Sequence, residues 1–133
     1  MTGVQTCALP ILGIRSDVGL AVKRNQWDSL TVEQRVSIHD VMRWSEKPLE
    51  HSQGYLFRWE EIKWYTEYAE IKALYSILNQ FDIKDFILVC ATPEYPTDNE
   101  NDVGDWWDNP WDLRKYVECR LEFDTQLDEN TEV

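Results

Sequence analysis

The chain has 133 residues and a mass of 15.8 kDa, enough for one domain to bury a core without disulfide or metal staples. Hydrophobic residues make up 43% and aromatic residues 13%, with seven Trp, which excludes global disorder despite a net charge of −12. No apolar run approaches the roughly 18 residues of a membrane span, so a soluble, folded, acidic protein without a membrane partner is expected.

The charge is unevenly placed. Residues 1–90 hold twelve acids and ten bases, whereas residues 91–133 hold thirteen acids against Arg114, Lys115 and Arg120. A field of that sign repels phosphate backbones and attracts basic surfaces, so direct nucleic-acid binding is not expected, although a small basic pocket in the first two thirds is compatible with it. Three cysteines, Cys7, Cys90 and Cys119, have no close pair and follow no secretory signal, which fits reduced thiols in a cytosolic setting.

Residues 1–11, Met-Thr-Gly-Val-Gln-Thr-Cys-Ala-Leu-Pro-Ile, look like the translation of a common short-read sequencing adapter, and are expected to form a poorly ordered leader outside the fold. That takes Cys7 out of the functional count. A single domain is expected over 12–124.

Ile14, Ser16, Val18, Leu20 and Val22 alternate with Arg15, Asp17, Gly19 and Ala21, the period-two pattern of a half-buried strand. Arg15 and Asp17 then project to the same side, as a local ion pair or as binding groups. Gln26 to Ser45 reads as one helix, with a capping box at Thr31-Val-Glu-Gln34, an apolar stripe of Val32, Val36, Ile38, Val41 and Met42, and a stop at Lys47-Pro48. His39 and His51 have no metal-ligand spacing and are read as structural.

Gly54 to Tyr65 is an aromatic extended segment. Tyr55, Phe57 and Trp59 share one face, and Glu60-Glu61 interrupts the pattern as a bulge or a tight turn before Ile62 and Trp64. Thr66 is the expected N-cap of a second helix, in which Tyr68, Ile71, Leu74 or Tyr75, and Leu78 recur at helical spacing up to Asn79. Phe86 to Ala91 suits a central strand buried on both faces, closed by Pro93 and Pro96. Thr97 to Trp111 is an acidic, Trp-bearing loop. Tyr116 to Phe123 alternates as a last strand with Val117, Cys119, Leu121 and Phe123 inward, and residues 125–133 form an acidic tail. This order fits an α+β layer, two helices on one face of a mainly antiparallel sheet of four or five strands, ferredoxin-like if the middle segment is a hairpin.

Catalytic signatures are missing: no Gly-rich phosphate loop, nucleophile elbow, paired His or CxxC. No enzymatic activity, cofactor or metal is expected. Cys90 and Cys119 fall at inward strand positions as inert small hydrophobes. Asp98, Glu100 and Asp102 begin like a calcium loop, but Val103 stands where that loop needs Gly and Asn109 where it needs Glu. Lys63, beside Trp64 and Tyr65, combines a cation with aromatic faces, which can hold a phosphate by charge and a base by stacking. Aromatic residues at strand spacing also serve as core, and that is the competing reading of the same residues.

Gly13-Ile-Arg-Ser-Asp-Val18, Trp59-Glu-Glu-Ile-Lys-Trp-Tyr65, Glu70-Ile-Lys-Ala73 and the strand and acidic loop from Phe86 to Asp98 resemble, in order, a family of small bacteriophage proteins of uncharacterised activity. Members of that family typically begin Met-Gly-Tyr-Arg-Ser-(Asp/Glu)-Val and carry an Ile-Lys-Trp-Tyr block. Here Ile14 replaces the Tyr, Leu88-Val89-Cys90 replaces Arg-Ile-Gly, and the segment around Trp106 and Trp107 has no counterpart. The resemblance implies phage origin, the cytoplasm of an infected bacterium and a counter-defence role.

Two functions follow as expectations. In the first, Arg15, Asp17, Lys63, Trp64 and Tyr65 bind and sequester a nucleotide-type host signal. In the second, Asp98, Glu100, Asp102, Asp105 and Asp108, with Trp106, Trp107 and Trp111 as anchors, engage a basic host defence protein in the manner of an anti-CRISPR or anti-restriction nucleic-acid mimic.

Overall fold

A computed structural model describes residues 13–115 and 121–123. The expected leader, Cys7, Val117, Cys119 and the acidic tail lie outside the described residues. The fold is α+β, built on a five-stranded antiparallel sheet of order β2-β3-β1-β4-β5. Its strands are β1 (Ser16–Lys23), β2 (Leu49–His51), β3 (Gly54–Ile62), β4 (Phe86–Ala91) and β5 (Val103–Gly104). Helical segments connect β1 to β2 and β3 to β4, and a two-residue turn joins β2 to β3. Over β1 to β4 the elements follow in the order β-α-β-β-α-β.

Strand β1 is the middle of the sheet, paired on one side with β3 and on the other with β4. Val18, Leu20 and Val22 face the helices together with Phe57, Trp59, Phe86 and Leu88. The opposite face is not solvated, as a half-buried strand would require. Ala21, Leu56 and Val89 are covered there by Trp106, Trp111 and Leu113, with Leu121 and Phe123 packed alongside. Gly19 permits this cover, because a Cβ at that position would stand 3.0 Å from the Leu113 side chain.

The region from Gln26 to Ser45 is three short helices, α1 (Arg24–Asp28), α2 (Val32–Ser37) and α3 (His39–Arg43), where the sequence pattern predicts one. Ser29 and Ser37 stand at the two breaks, and Ser45 follows the last helix. The hydroxyls of Ser29, Ser37 and Ser45 donate to the carbonyls of Gln26, Gln34 and Met42, each three residues back, at 2.7, 2.7 and 2.8 Å. Such local bonds compete with helix continuation. The capping box does form: Gln34 N–H donates to Thr31 Oγ1 at 3.1 Å and Thr31 N–H to Gln34 Oε1 at 2.8 Å. The breaks turn the apolar stripe, so Ile38 and Val41 are buried while Val32 and Val36 are exposed.

The second helix, α4 (Ala69–Leu78), buries Ile71, Leu74, Ile77 and Leu78 against the same face of the sheet. Thr66 does not cap it. A turn closed by Tyr68 N–H on Tyr65 O precedes the helix, and Tyr68 stands at the cap position without a side-chain bond. Two short strands, β6 (Arg114–Lys115) and β7 (Leu121–Glu122), pair with each other, and residues 116–120 of the strand expected from Tyr116 to Phe123 lie outside the described residues.

One close approach and one ion pair make the packing of the sheet testable. A Cβ on Gly54 would come 2.2 Å from the backbone oxygen of Val22. Gly54→Ala is therefore expected to lower the unfolding free energy by about 1–3 kcal/mol, the range for overpacking, read as a fall in the urea midpoint. Asp85, at the end of a 3₁₀ turn (Ile83–Asp85) ahead of β4, accepts from Gln26 Nε2 at 2.8 Å and pairs with Lys23 at 3.1 Å. The Gln26 bond, then the Lys23 contacts, hold its carboxyl below the ordinary 3.8 against the opposing effect of burial. A carboxyl depressed in the folded state contributes stability that is present above the unfolded pKa and lost as pH falls through the folded one. Stability should accordingly decline below about pH 4, and Asp85→Asn should flatten part of that decline in thermal melts across pH 2–6.

Candidate functional site

The Glu60-Glu61 interruption is a bulge. Val18 pairs with Trp59 and Ser16 with Ile62, so β3 carries one residue more than β1 between these pairs. Glu61 takes a φ of 50°, a left-handed conformation uncommon for a residue with a side chain. Arg15 and Asp17 hold it there: Glu61 N–H donates to Asp17 Oδ1 at 2.9 Å, and Arg15 Nη1 donates to the Glu61 carbonyl at 3.0 Å. The two charged residues at the start of β1 thus clasp both polar groups of the same residue instead of pairing with each other.

The segment after the bulge is drawn onto the start of β1. Tyr65 Oη donates to the Ile14 carbonyl at 2.8 Å, and burial pushes the Tyr65 phenol above its ordinary pKa, keeping it a donor. Trp64 is buried, 3% exposed, with its ring centroid 5.0 Å from that of Trp59. Its Nε1 donates to Tyr75 Oη at 2.9 Å, and Tyr75 Oη in turn donates to the Asn101 carbonyl at 2.7 Å. Burial raises the Tyr75 pKa strongly, so this hydroxyl stays protonated and can serve both bonds.

Five residues expected to form a ligand site therefore come together, but they play different parts. Asp17 and Tyr65 brace the backbone, and Trp64 belongs to the core. Arg15 and Lys63 line a surface groove of about 330 Å³ that also takes in Trp44, Trp59, Glu60, Glu61, Ile62 and Tyr68. Trp44 and Tyr68 are 45% and 38% exposed. Lys63 has no ion pair among the described residues, and Arg15 keeps guanidinium donors beyond the one it spends on Glu61. Sequence reasoning misses Trp44, which ends α3, and places Tyr68 on an apolar helix stripe. The signal for Glu60 and Glu61 is the break in strand alternation itself.

The acidic loop is differently arranged. Asp98, Glu100, Asp105, Trp107 and Asp108 are exposed, Trp107 by 76%. Trp106 and Trp111 are 2% and 0% exposed and cover the sheet, which removes them as surface anchors. Buried Asn109 closes the loop, donating from Nδ2 to the Trp106 carbonyl at 3.0 Å and accepting from Leu113 N–H at 2.9 Å. Asp102 accepts from Cys90 N–H at 2.8 Å, beyond the stretch of β4 that pairs with β5. Cys90 is buried, His39 is exposed beside Asp40, and the His51 ring lies edge-on to Trp111 with centroids 6.0 Å apart. Among the described residues no three His, Cys, Asp or Glu side chains converge as metal ligands, and no helix is long and apolar enough to cross a membrane.

No protein-family model, curated protein or solved structure matches this chain.

Removing the Tyr75 hydroxyl would orphan the buried indole N–H of Trp64 and the Asn101 carbonyl. Tyr75→Phe is expected to cost about 1–3 kcal/mol of stability, measured by chemical unfolding, with larger amide-exchange rates at both 63–65 and 99–102.

Proposed function

We propose that the groove beside the Glu61 bulge binds a small nucleotide-type ligand and that the protein acts by sequestering it. The observation that carries this reading is the placement of two cations, Arg15 and Lys63, in one concave surface with two partly exposed rings, Trp44 and Tyr68. Rings hold a planar base by stacking, and a lysine and a guanidinium hold phosphate by charge. The clasp on Glu61 supports the reading further, because it fixes the groove wall before any ligand arrives and so lowers the ordering cost of binding. The reading is non-enzymatic: it needs binding alone. With the phage resemblance of the Gly13–Val18 and Trp59–Tyr65 blocks, it makes the protein a counter-defence factor acting in the cytoplasm of an infected bacterium and removing a nucleotide signal of the host.

A calorimetric panel of cyclic dinucleotides, mononucleotides and ADP-ribose derivatives tests this. At least one should release or absorb heat at a stoichiometry near one. Trp44→Ala should weaken it by roughly 5- to 150-fold, the equivalent of about 1–3 kcal/mol for one stacked base, and Lys63→Ala should weaken it in a salt-dependent manner. Absence of heat from every member of the panel would remove the proposal.

A second reading rests on Trp107, a largely exposed ring between the exposed acids Asp105 and Asp108. It makes the loop the docking surface for a basic host defence protein, with a single aromatic anchor. Combined neutralisation of Asp98, Glu100, Asp105 and Asp108 with Trp107→Ala should then abolish a salt-sensitive protein interaction while leaving any nucleotide binding intact.

A further inference from the structure

We infer that the base taken by the groove is guanine, held by its donor edge on the Glu60 and Glu61 carboxylates while its phosphate meets Lys63 and Arg15. This rests on the nucleotide reading and adds the identity of the base to it. In a regular strand two consecutive side chains project to opposite faces, but the bulge breaks that alternation, and Glu60 and Glu61 line the same groove as Lys63. The ion pairs among the described residues join Lys23 to Asp85, His39 and Arg43 to Asp40, Arg58 to Glu46 and Arg114 to Asp112, and none involves either glutamate.

The groove is therefore lined by two basic and two acidic residues together. A purely anionic ligand, such as inorganic phosphate, would gain from the cations and lose to the carboxylates. A ligand with an anionic end and a donor-rich edge satisfies both. An ionised carboxylate is an acceptor only, and guanine offers it N1–H and the exocyclic amine side by side, two parallel donors for two oxygens, in the manner of a bidentate guanidinium. Adenine and cytosine each set a ring-nitrogen acceptor next to the amine, which places lone pair against lone pair. Uracil has a single N–H flanked by two carbonyl oxygens. A site organised around hydrogen-bonding groups rejects such mismatches strongly, because its own polar atoms are left unpaired. The volume of about 330 Å³ lies near the lower end of the roughly 300–1,000 Å³ of small-molecule sites and suits one nucleotide unit.

The test is calorimetric titration of the full chain with guanosine 5′-monophosphate, adenosine 5′-monophosphate and inorganic phosphate. It compares the wild type, Glu60→Gln, Glu61→Gln, the double glutamine variant and Lys63→Ala, each checked for cooperative unfolding. The guanine nucleotide is expected to bind at least about tenfold tighter than the adenine nucleotide, with phosphate alone much weaker than either. The double glutamine variant should bring the two nucleotides to within about twofold without weakening the adenine one, since an amide no longer offers two acceptors. Lys63→Ala should weaken both nucleotides and preserve the preference. Equal binding of the two nucleotides by the wild type would overturn the base assignment and leave the nucleotide reading standing. A preference that survives in the double glutamine variant would overturn the role of the carboxylates. Absence of binding by either nucleotide, together with silence of the wider panel, would overturn both.

Discussion

Burial of β1 on both faces is the constraint to which the rest of the structure answers. A central strand between β3 and β4 has no free edge, and its two side-chain rows each need an apolar cover. The helical layer supplies one cover, through Ile71, Leu74, Leu78 and the shorter segments carrying Trp27, Ile38 and Val41. The chain after β4 supplies the other, through Trp106, Trp111 and Leu113. The acidic character of that later segment is thus compatible with a structural role, since its exposed acids surround indoles that close the sheet.

The same strand organises the candidate site. At its start β1 stops offering apolar side chains and offers Arg15 and Asp17, which grip the peptide groups of Glu61. That grip stabilises a left-handed residue in the neighbouring strand, and Glu60, Glu61 and Lys63, at and after the bulge, line one groove. Local backbone strain at Glu61 and the mixed charge of the groove are two aspects of one arrangement. A regular β3 would have separated these side chains onto opposite faces of the sheet.

Much of the fold is legible in the sequence because it is periodic. Alternation locates β1 and β3 to within two or three residues, and the continuous run at Phe86 to Ala91 marks β4 as doubly buried. The break at Glu60-Glu61 is visible as a bulge or turn, and its neighbourhood with Arg15 and Asp17 follows from placing both on adjacent strands. What is not legible depends on partners remote in sequence. The second cover of β1 comes from indoles some ninety residues away in a segment whose composition is that of a solvated loop, so Trp106 and Trp111 read as surface anchors. The division of Gln26 to Ser45 into three helices is a local exception: the Ser29 and Ser37 hydroxyls at the breaks bond backward, which residue type alone does not decide. Exposure of Trp44 follows from that division. Lys63 and Arg15 line the groove, whereas Trp64 goes to the core, the outcome that aromatic strand spacing also allows.

The Trp64–Tyr75–Asn101 relay joins the core behind the groove, where Trp64 packs on the lining residue Trp59, to the acidic loop through one phenolic oxygen. The two surfaces are consequently coupled at one position, the Asn101 carbonyl, and separable elsewhere. A change that loosens the loop near Asn101 withdraws the acceptor that orients Tyr75, and through it the partner of the indole next to Lys63. Asp102, which accepts from the Cys90 N–H of β4, is the next residue. Charge neutralisation at Asp102 would then register in the groove as a change of shape, whereas Asp105 and Asp108 carry their charge at the periphery. The single hydroxyl sets a grammar for mutagenesis in this protein: which acids can be removed as charges, and which only as joints.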